Sequence, residues 1–440
     1  MRHKNRHVVE RVLAVFGFIA LFVVPAVQAQ DTTTVTPSQI EALEERIEAL
    51  ESELDKARAD QEELQAEDED RAREAAEQVL QESRPIKVGG AVRFQYSLED
   101  YDDGNKDRGG DLDLDTFRLN VDGSIGDVIL SAEYRFYQYM DVIHHAWVGY
   151  DFTDTLRGQA GIHQVPFGVL PFNSHNFFFS GNYYLGLEDD YDAGLKFTWA
   201  PEPFDIQLAY YINDEMGGID GFVDNRSDRY SYDVVGFRNA EDGTFANPAD
   251  SGAEIAESNT LNGRVAYNLA HGENGNSEVG VSLQWGDLHD DSDSVGDNWA
   301  AAIHLDGDYG PWNVMLQATR YEYDLDNDAE RLAVGAYSFF DTIASEANTY
   351  TIGVARSVPV NFGPISNITF YNDYSLIGDK SADLEDTWMN VAGFSVAAGG
   401  IFAYFDFIRA KNQPFVGGTH DSTIDDDVQN RFNLNVGYYF

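Results

Sequence analysis

The sequence predicts an all-β transmembrane barrel of about sixteen antiparallel strands, preceded by an N-terminal α-helical coiled coil. Three observations lead there. From Ile86 to the end of the chain, apolar and polar residues alternate with a period of two, segment after segment. The connections between these segments alternate short and long. The last segment, Asn430 to Phe440, carries Phe432, Leu434, Val436, Tyr438 and Phe440 on one face, and Arg431, Asn433, Asn435, Gly437 and Tyr439 on the other. An apolar strand face that ends in aromatic rings suits a strand whose outer side meets lipid.

Composition narrows the class. A chain of 440 residues can form one large barrel or two to three ordinary domains. Cysteine is absent, so no disulfide framework, thiolate metal site or lipidated cysteine can form. Beyond residue 30 there is no apolar run of 18 residues, which excludes helical spans from the mature chain. Barrel strands escape that test because only alternate residues face lipid. The net charge of −47 argues against a nucleic-acid partner, whose phosphates need a basic surface. It is compatible with a saline habitat, with attraction of cations, or with divalent bridging to anionic headgroups of outer-membrane lipid and lipopolysaccharide.

In chain order, residues 1–29 read as a secretory signal peptide. Arg2, Lys4, Arg6 and Arg11 are its basic start, Val12 to Val24 its apolar core, and Val27-Gln28-Ala29 its small-residue cleavage site. Residues 30–84 read as a periplasmic coiled coil and linker. Ile40, Leu43, Ile47, Leu50, Leu54, Ala57, Gln61 and Leu64 recur at alternating spacings of three and four, the seam of a heptad repeat. Isoleucine at several of these positions leans toward a trimer.

Residues 85–440 read as the barrel. Strands are expected near 86–98, 112–125, 128–139, 142–152, 156–165, 191–200, 204–212, 260–269, 278–288, 299–309, 312–323, 349–358, 367–376, 388–398, 401–409 and 430–440. An even count returns both ends of the barrel to one rim. The shortest connections are Gly126-Asp127, Thr153 to Thr155, Pro201 to Pro203, Gly310-Pro311 and Gly399-Gly400. The longest run over 213–259 and 324–348 and are acidic. Short turns at one rim and long loops at the other suit a membrane barrel. Trp199, Trp285, Trp299, Trp312 and Trp388 fall near strand ends, where interfacial girdles would put them.

One long connection differs from the others. Pro166 to Asp190 carries aromatic residues where its counterparts carry acids. Folded into the lumen it would form a constriction through Pro166, Phe167, Phe172, His175, Phe178 and Tyr183; the alternative is packing against a neighbouring protomer. On the inward parity lie Arg93, Arg118, Arg135, Arg157, Lys196, Arg264 and Arg431, expected to line the pore. A cation at mid-strand costs about 2–4 kcal/mol when it faces lipid, so the lumen is its place. Because the last strand closes on the first, most of these cations would share one wall. Inward acids such as Asp122, Glu133, Asp192 and Asp406 could instead pair with them and brace the wall.

The closing strand resembles the C-terminal signal of outer-membrane barrels. Further motifs carry a narrower resemblance: D-T-F-R-L-N-V-D-G at 115–123, A-E-Y-R-F at 132–136, H-A-W-V-G-Y at 145–150, G-Q at 158–159, V-P-F-G at 165–168, S-H-N at 174–176 and L-E-D-D-Y-D-A-G-L-K at 187–196. Together they resemble the phosphate-selective porin O/P family over roughly residues 86–200, with the remainder similar by pattern only. That resemblance implies a sixteen-stranded, homotrimeric channel of the Gram-negative outer membrane that passes small ions and solutes, with a preference for anions such as phosphate. The chain departs from the family's abundant basic ladder, since residues 86–440 hold 19 Lys and Arg against 57 Asp and Glu.

Other readings fit less of the chain. His144, His145, His163 and Ser174 sit in no nucleophile motif, so no enzyme, catalytic residue or cofactor is expected. D-D-S-D-S at 290–294 lacks EF-hand spacing, so no specific metal site is expected. A porin for dicarboxylates, sugars or cations, or a barrel-anchored structural tether, are the alternatives.

Overall fold

The computed structural model describes residues 86–219, 223, 225–238, 254–272, 275–424 and 427–440. The signal peptide and coiled coil expected over 1–84 lie outside the described residues.

Nineteen strands form among the described residues. The first seven are β1 (Ile86–Glu99), β2 (Asp111–Ile125), β3 (Val128–Phe136), β4 (Asp141–Thr153), β5 (Leu156–Gln164), β6 (Tyr191–Trp199) and β7 (Phe204–Asp214). Next come β8 (Asp233–Phe237), β9 (Ala256–Ala270), β10 (Gly275–His289), β11 (Ser294–Tyr309) and β12 (Trp312–Leu325). The rest are β13 (Arg331–Ala336), β14 (Phe339–Ala344), β15 (Glu346–Phe362), β16 (Ile365–Gly378), β17 (Thr387–Ala398), β18 (Ile401–Lys411) and β19 (Gln429–Tyr439). All but β8, β13 and β14 join into one closed antiparallel barrel of sixteen strands.

β19 pairs with β1 from Ala91 opposite Tyr439 to Glu99 opposite Arg431, which closes the barrel. The terminal residue extends the seam: the Gly90 amide donates to the Phe440 carbonyl at 2.9 Å, and the Phe440 amide returns a bond to Gly90 at 3.1 Å. Closure leaves no strand edge unpaired, which a lipid environment requires because nothing there can satisfy a free amide.

The alternation is inverted relative to a water-soluble sheet. On β10, Leu283 is 65% and Trp285 51% exposed, whereas Ser282 and Gln284 are 1% and 5% exposed. Apolar side chains outside and polar ones inside is the pattern of a barrel in lipid with a polar lumen. The turn rim uses tight hairpins. Gly126 (φ 63°) and Gly399 (φ 61°) take the left-handed conformation there, which side chains with a Cβ rarely adopt.

Differences from the sequence reading concern the loops. β3 stops at Phe136 rather than 139, where Tyr137 and Met140 close a turn through the bond from the Tyr137 amide to the Met140 carbonyl. A short helix, α1 (Asp103–Arg108), sits in the β1–β2 loop, capped by Asp102 and ended by a left-handed Gly109. Most notably, the two longest loops are not structureless: β8 pairs with β13, and β13 with β14, as a separate three-stranded sheet.

Candidate functional site

The segment 165–190 between β5 and β6 enters the barrel. Its two ends are drawn together by the bond from the Val165 amide to the Asp190 carbonyl, 2.9 Å. Between them the backbone crosses to the far wall, where inward polar side chains of other strands hold it. The Gly168 amide donates to Ser282 Oγ on β10 (3.0 Å), and the Val169 amide to Gln317 Oε1 on β12 (2.9 Å). Asn173 Nδ2 donates to Thr351 Oγ1 on β15 (2.8 Å). His175 is held three times: its amide and Nδ1 meet Asp373 on β16 at 2.8 and 2.7 Å, and Nε2 meets Asn313 on β12 at 2.7 Å. A buried backbone must have its polar groups paired, and this is where those of the loop go.

Burial alone would lower the His175 pKa, but the Asp373 carboxylate overrides it and the imidazole is raised. At the loop's root, burial pushes Glu188 and Asp189 up to about 7 each, against the bonds that favour their charged forms. Glu188 accepts from the Asn173 amide at 2.9 Å and from Ser180, and Asp189 accepts from Tyr230 Oη at 2.5 Å.

Facing the loop is a file of four arginines from four adjacent strands: Arg431 on β19, Arg93 on β1, Arg118 on β2 and Arg135 on β3. Arg118 and Arg135 are direct cross-strand partners, an arrangement that like charges disfavour. Glu133 relieves it, 2.5 Å from Arg135 and 3.6 Å from Arg118. Arg93 pairs with Asp115 at 2.6 Å and Arg431 with Glu99 at 3.1 Å. Arg118 is the least engaged of the four, because 3.6 Å is too long for a hydrogen bond. Each guanidinium also lies against an aromatic ring: Arg93 on Phe177, Arg118 on Tyr439, Arg135 on Tyr230 and Arg431 on Phe178, at 5.3, 5.0, 4.3 and 5.1 Å.

Between file and loop lies a cavity of about 580 Å³ bordered by these four arginines and thirteen aromatic residues. Of the residues expected at the constriction, Phe172, Phe178 and Tyr183 line it. Pro166 and Phe167 are buried at the loop's root, and His175 is the anchor on the far wall.

The remaining expected pore-lining cations lie elsewhere. Arg157 is at the turn rim, half-exposed and paired with Asp151 at 2.6 Å. Lys196 Nζ donates to the Gln164 carbonyl at 2.7 Å, bracing the loop's departure. Arg264 is buried, pairs with Glu278 and donates from Nε to the Gly168 carbonyl at 2.8 Å. Sequence reasoning missed Tyr230, Tyr337, Tyr404 and Phe415 at the cavity. Three of them come from the loops, where no periodicity marks a side chain's direction.

No family model and no curated protein matches the chain. Among solved structures it is similar to OmpF of Salmonella typhi in complex with daunomycin, at 10% identity and a TM-score of 0.50, covering 81% of this chain and 97% of that one. It is also similar to an anion-selective porin from Comamonas acidovorans (14% identity, TM-score 0.49, 81% and 99% covered). A third is OmpT of Vibrio cholerae (14%, 0.47, 81% and 97%). At such identities the likeness is one of architecture. The chain has the sixteen-stranded β-barrel fold of outer-membrane porins.

Proposed function

We propose that the chain is a passive outer-membrane porin that admits small anions through the gap between the arginine file and the inward loop. One observation carries the reading: four arginines from neighbouring strands converge on a loop that holds no acidic residue from 165 to 187. The wall's own carboxylates temper that positive field, but the loop does not oppose it. Within a low-dielectric constriction such a local field governs ion choice more than the acidic exterior does.

The lining narrows the cargo. Phosphate would need several uncommitted guanidinium donors, as the resemblance to the phosphate-selective O/P family implies. Here carboxylates within ion-pair distance already engage Arg93, Arg135 and Arg431. Thirteen aromatic residues and one loosely held guanidinium, Arg118, suit a small organic anion with a planar apolar body. In this reading the short-turn rim faces the periplasm and three chains assemble. Lipopolysaccharide surrounds the loop end.

Reversal potentials of single channels under a salt gradient test the reading, for the wild type and for Arg118→Ala with Arg135→Ala. Anion preference that weakens in the double variant supports it. Cation preference unmoved by the substitutions overturns it, and assigns selectivity to the acidic loops.

A further inference from the structure

A second charged cluster lies where β6, β7 and β9 begin or end against the segment leading into β8. It holds six carboxylates: Asp190, Asp192, Asp214, Glu215, Asp233 and Glu257. Five of these residues are at least nine-tenths buried. Two guanidiniums answer them. Arg229 reaches Asp214 at 3.0 Å, Asp233 at 2.9 Å and also Glu215; Arg226 reaches Asp214. With all six ionised, four negative charges remain uncompensated by these arginines, a costly state for a buried group.

The excess is concentrated. Asp192 is 3% exposed, and its side chain has no hydrogen bond or ion pair among the described residues; its Oδ1 is unpartnered. It faces Asp190, Glu257, Glu215 and Asp214, all of the same sign. Among the described residues, the only hydrogen bond to the Asp190 side chain comes from the Tyr191 amide, at 2.8 Å. Oxygens of Asp190, Asp192 and Asp233 lie within 4.8 Å of one another. Two oxygens bound to one calcium ion at about 2.3–2.6 Å stand at most about 5 Å apart, so the three can share a centre.

We infer that Asp190, Asp192 and Asp233 form a binding site for one divalent cation of the calcium class. All three donors are hard carboxylate oxygens, and among the described residues no nitrogen or sulfur ligand joins the group. The three ligands come from the end of the constriction loop, the start of β6 and the start of β8. A bound ion would therefore tie the loop's root to the loop sheet. The site is independent of which solute the pore admits.

The test uses the full chain in detergent, stripped with EDTA and titrated with CaCl2 by calorimetry and by thermal unfolding. The wild type is expected to bind one Ca²⁺ per chain saturably and to unfold at higher temperature with Ca²⁺ than with EDTA. Asp192→Asn keeps the shape and removes one charge. It is expected to weaken Ca²⁺ at least tenfold, yet to unfold at the same or higher temperature than wild type in EDTA, because repulsion is relieved. Asp291→Asn, in the exposed 290–294 loop, is expected to bind as wild type does. Absence of saturable binding in the wild type overturns the inference. So does wild-type Ca²⁺ affinity in both Asp192→Asn and Asp233→Asn.

Discussion

Replacing Asp373 with alanine should release the constriction loop without unfolding the barrel. Asp373 is buried on β16 and accepts three bonds from the loop: the His175 amide at 2.8 Å, His175 Nδ1 at 2.7 Å and Asn176 Nδ2 at 2.8 Å. Hydrogen bonds to a charged acceptor contribute about 1.5–3 kcal/mol each, but three bonds to one carboxylate are not additive. Breaking a buried pair costs about 3–5 kcal/mol, which sets the scale. At about 1.4 kcal/mol per tenfold, the undocked loop becomes roughly a hundred to a few thousand times more populated. The strand itself keeps its ladder to β15 and β17, so the barrel should still form. Single-channel recordings in planar bilayers should show larger conductance with frequent steps, in a variant that keeps the heat-modifiable gel mobility of a folded barrel. Wild-type conductance and noise in such a variant would refute the claim that Asp373 holds the constriction.

Further outcomes follow from the same geometry. The loop should be held more firmly in acid than in base. Glu188 and Asp189 are raised to about 7, so the stability linked to their protonated forms is complete below the ordinary carboxyl range and lost as pH rises through about 7. The raised His175 adds a contribution of the same sign, lost as pH rises through its own elevated value. Channel noise should therefore increase from pH 5 to pH 8.5, and a flat profile would contradict these assignments. Arg264→Ala removes a buried partner of Glu278 and a tether on Gly168, and should destabilise the barrel by about 3–5 kcal/mol in denaturant unfolding. Arg157→Ala, at an exposed pair, should change stability by at most about 1 kcal/mol. A peptide spanning residues 38–64 should sediment as a helical trimer; a monomer would contradict the heptad reading.

The barrel was legible because lipid on one side and a polar lumen on the other impose a period of two on every spanning strand. All sixteen expected segments correspond to barrel strands, shifted by a few residues at their ends. The loop sheet was not legible. β8 and β13 are buried on both faces, so Asp-Val-Val-Gly-Phe and Arg-Leu-Ala-Val-Gly-Ala show no alternation to read. Parity put Arg93, Arg118, Arg135 and Arg431 on the lumenal face, and the closing of β19 on β1 makes them neighbours. Parity is blind to height along the barrel, which is why Arg157, on the same face but close to the turn rim, lies away from the cavity. The acidic cluster at Asp192 was also invisible, since its members are spread from 190 to 257 and meet only in the folded chain.

The most direct test of anion passage uses the absence of cysteine in the chain. Ser174 borders the cavity and its Oγ has no hydrogen-bond partner among the described residues, so Ser174→Cys places one small reactive thiol beside the arginine file. Reaction with an anionic and a cationic thiosulfonate of similar size is followed by the fall in channel current. The anionic reagent is expected to react markedly faster, and Arg118→Ala in the same background to narrow the difference. Faster reaction of the cationic reagent, or reaction that leaves the current unchanged, would contradict anion passage.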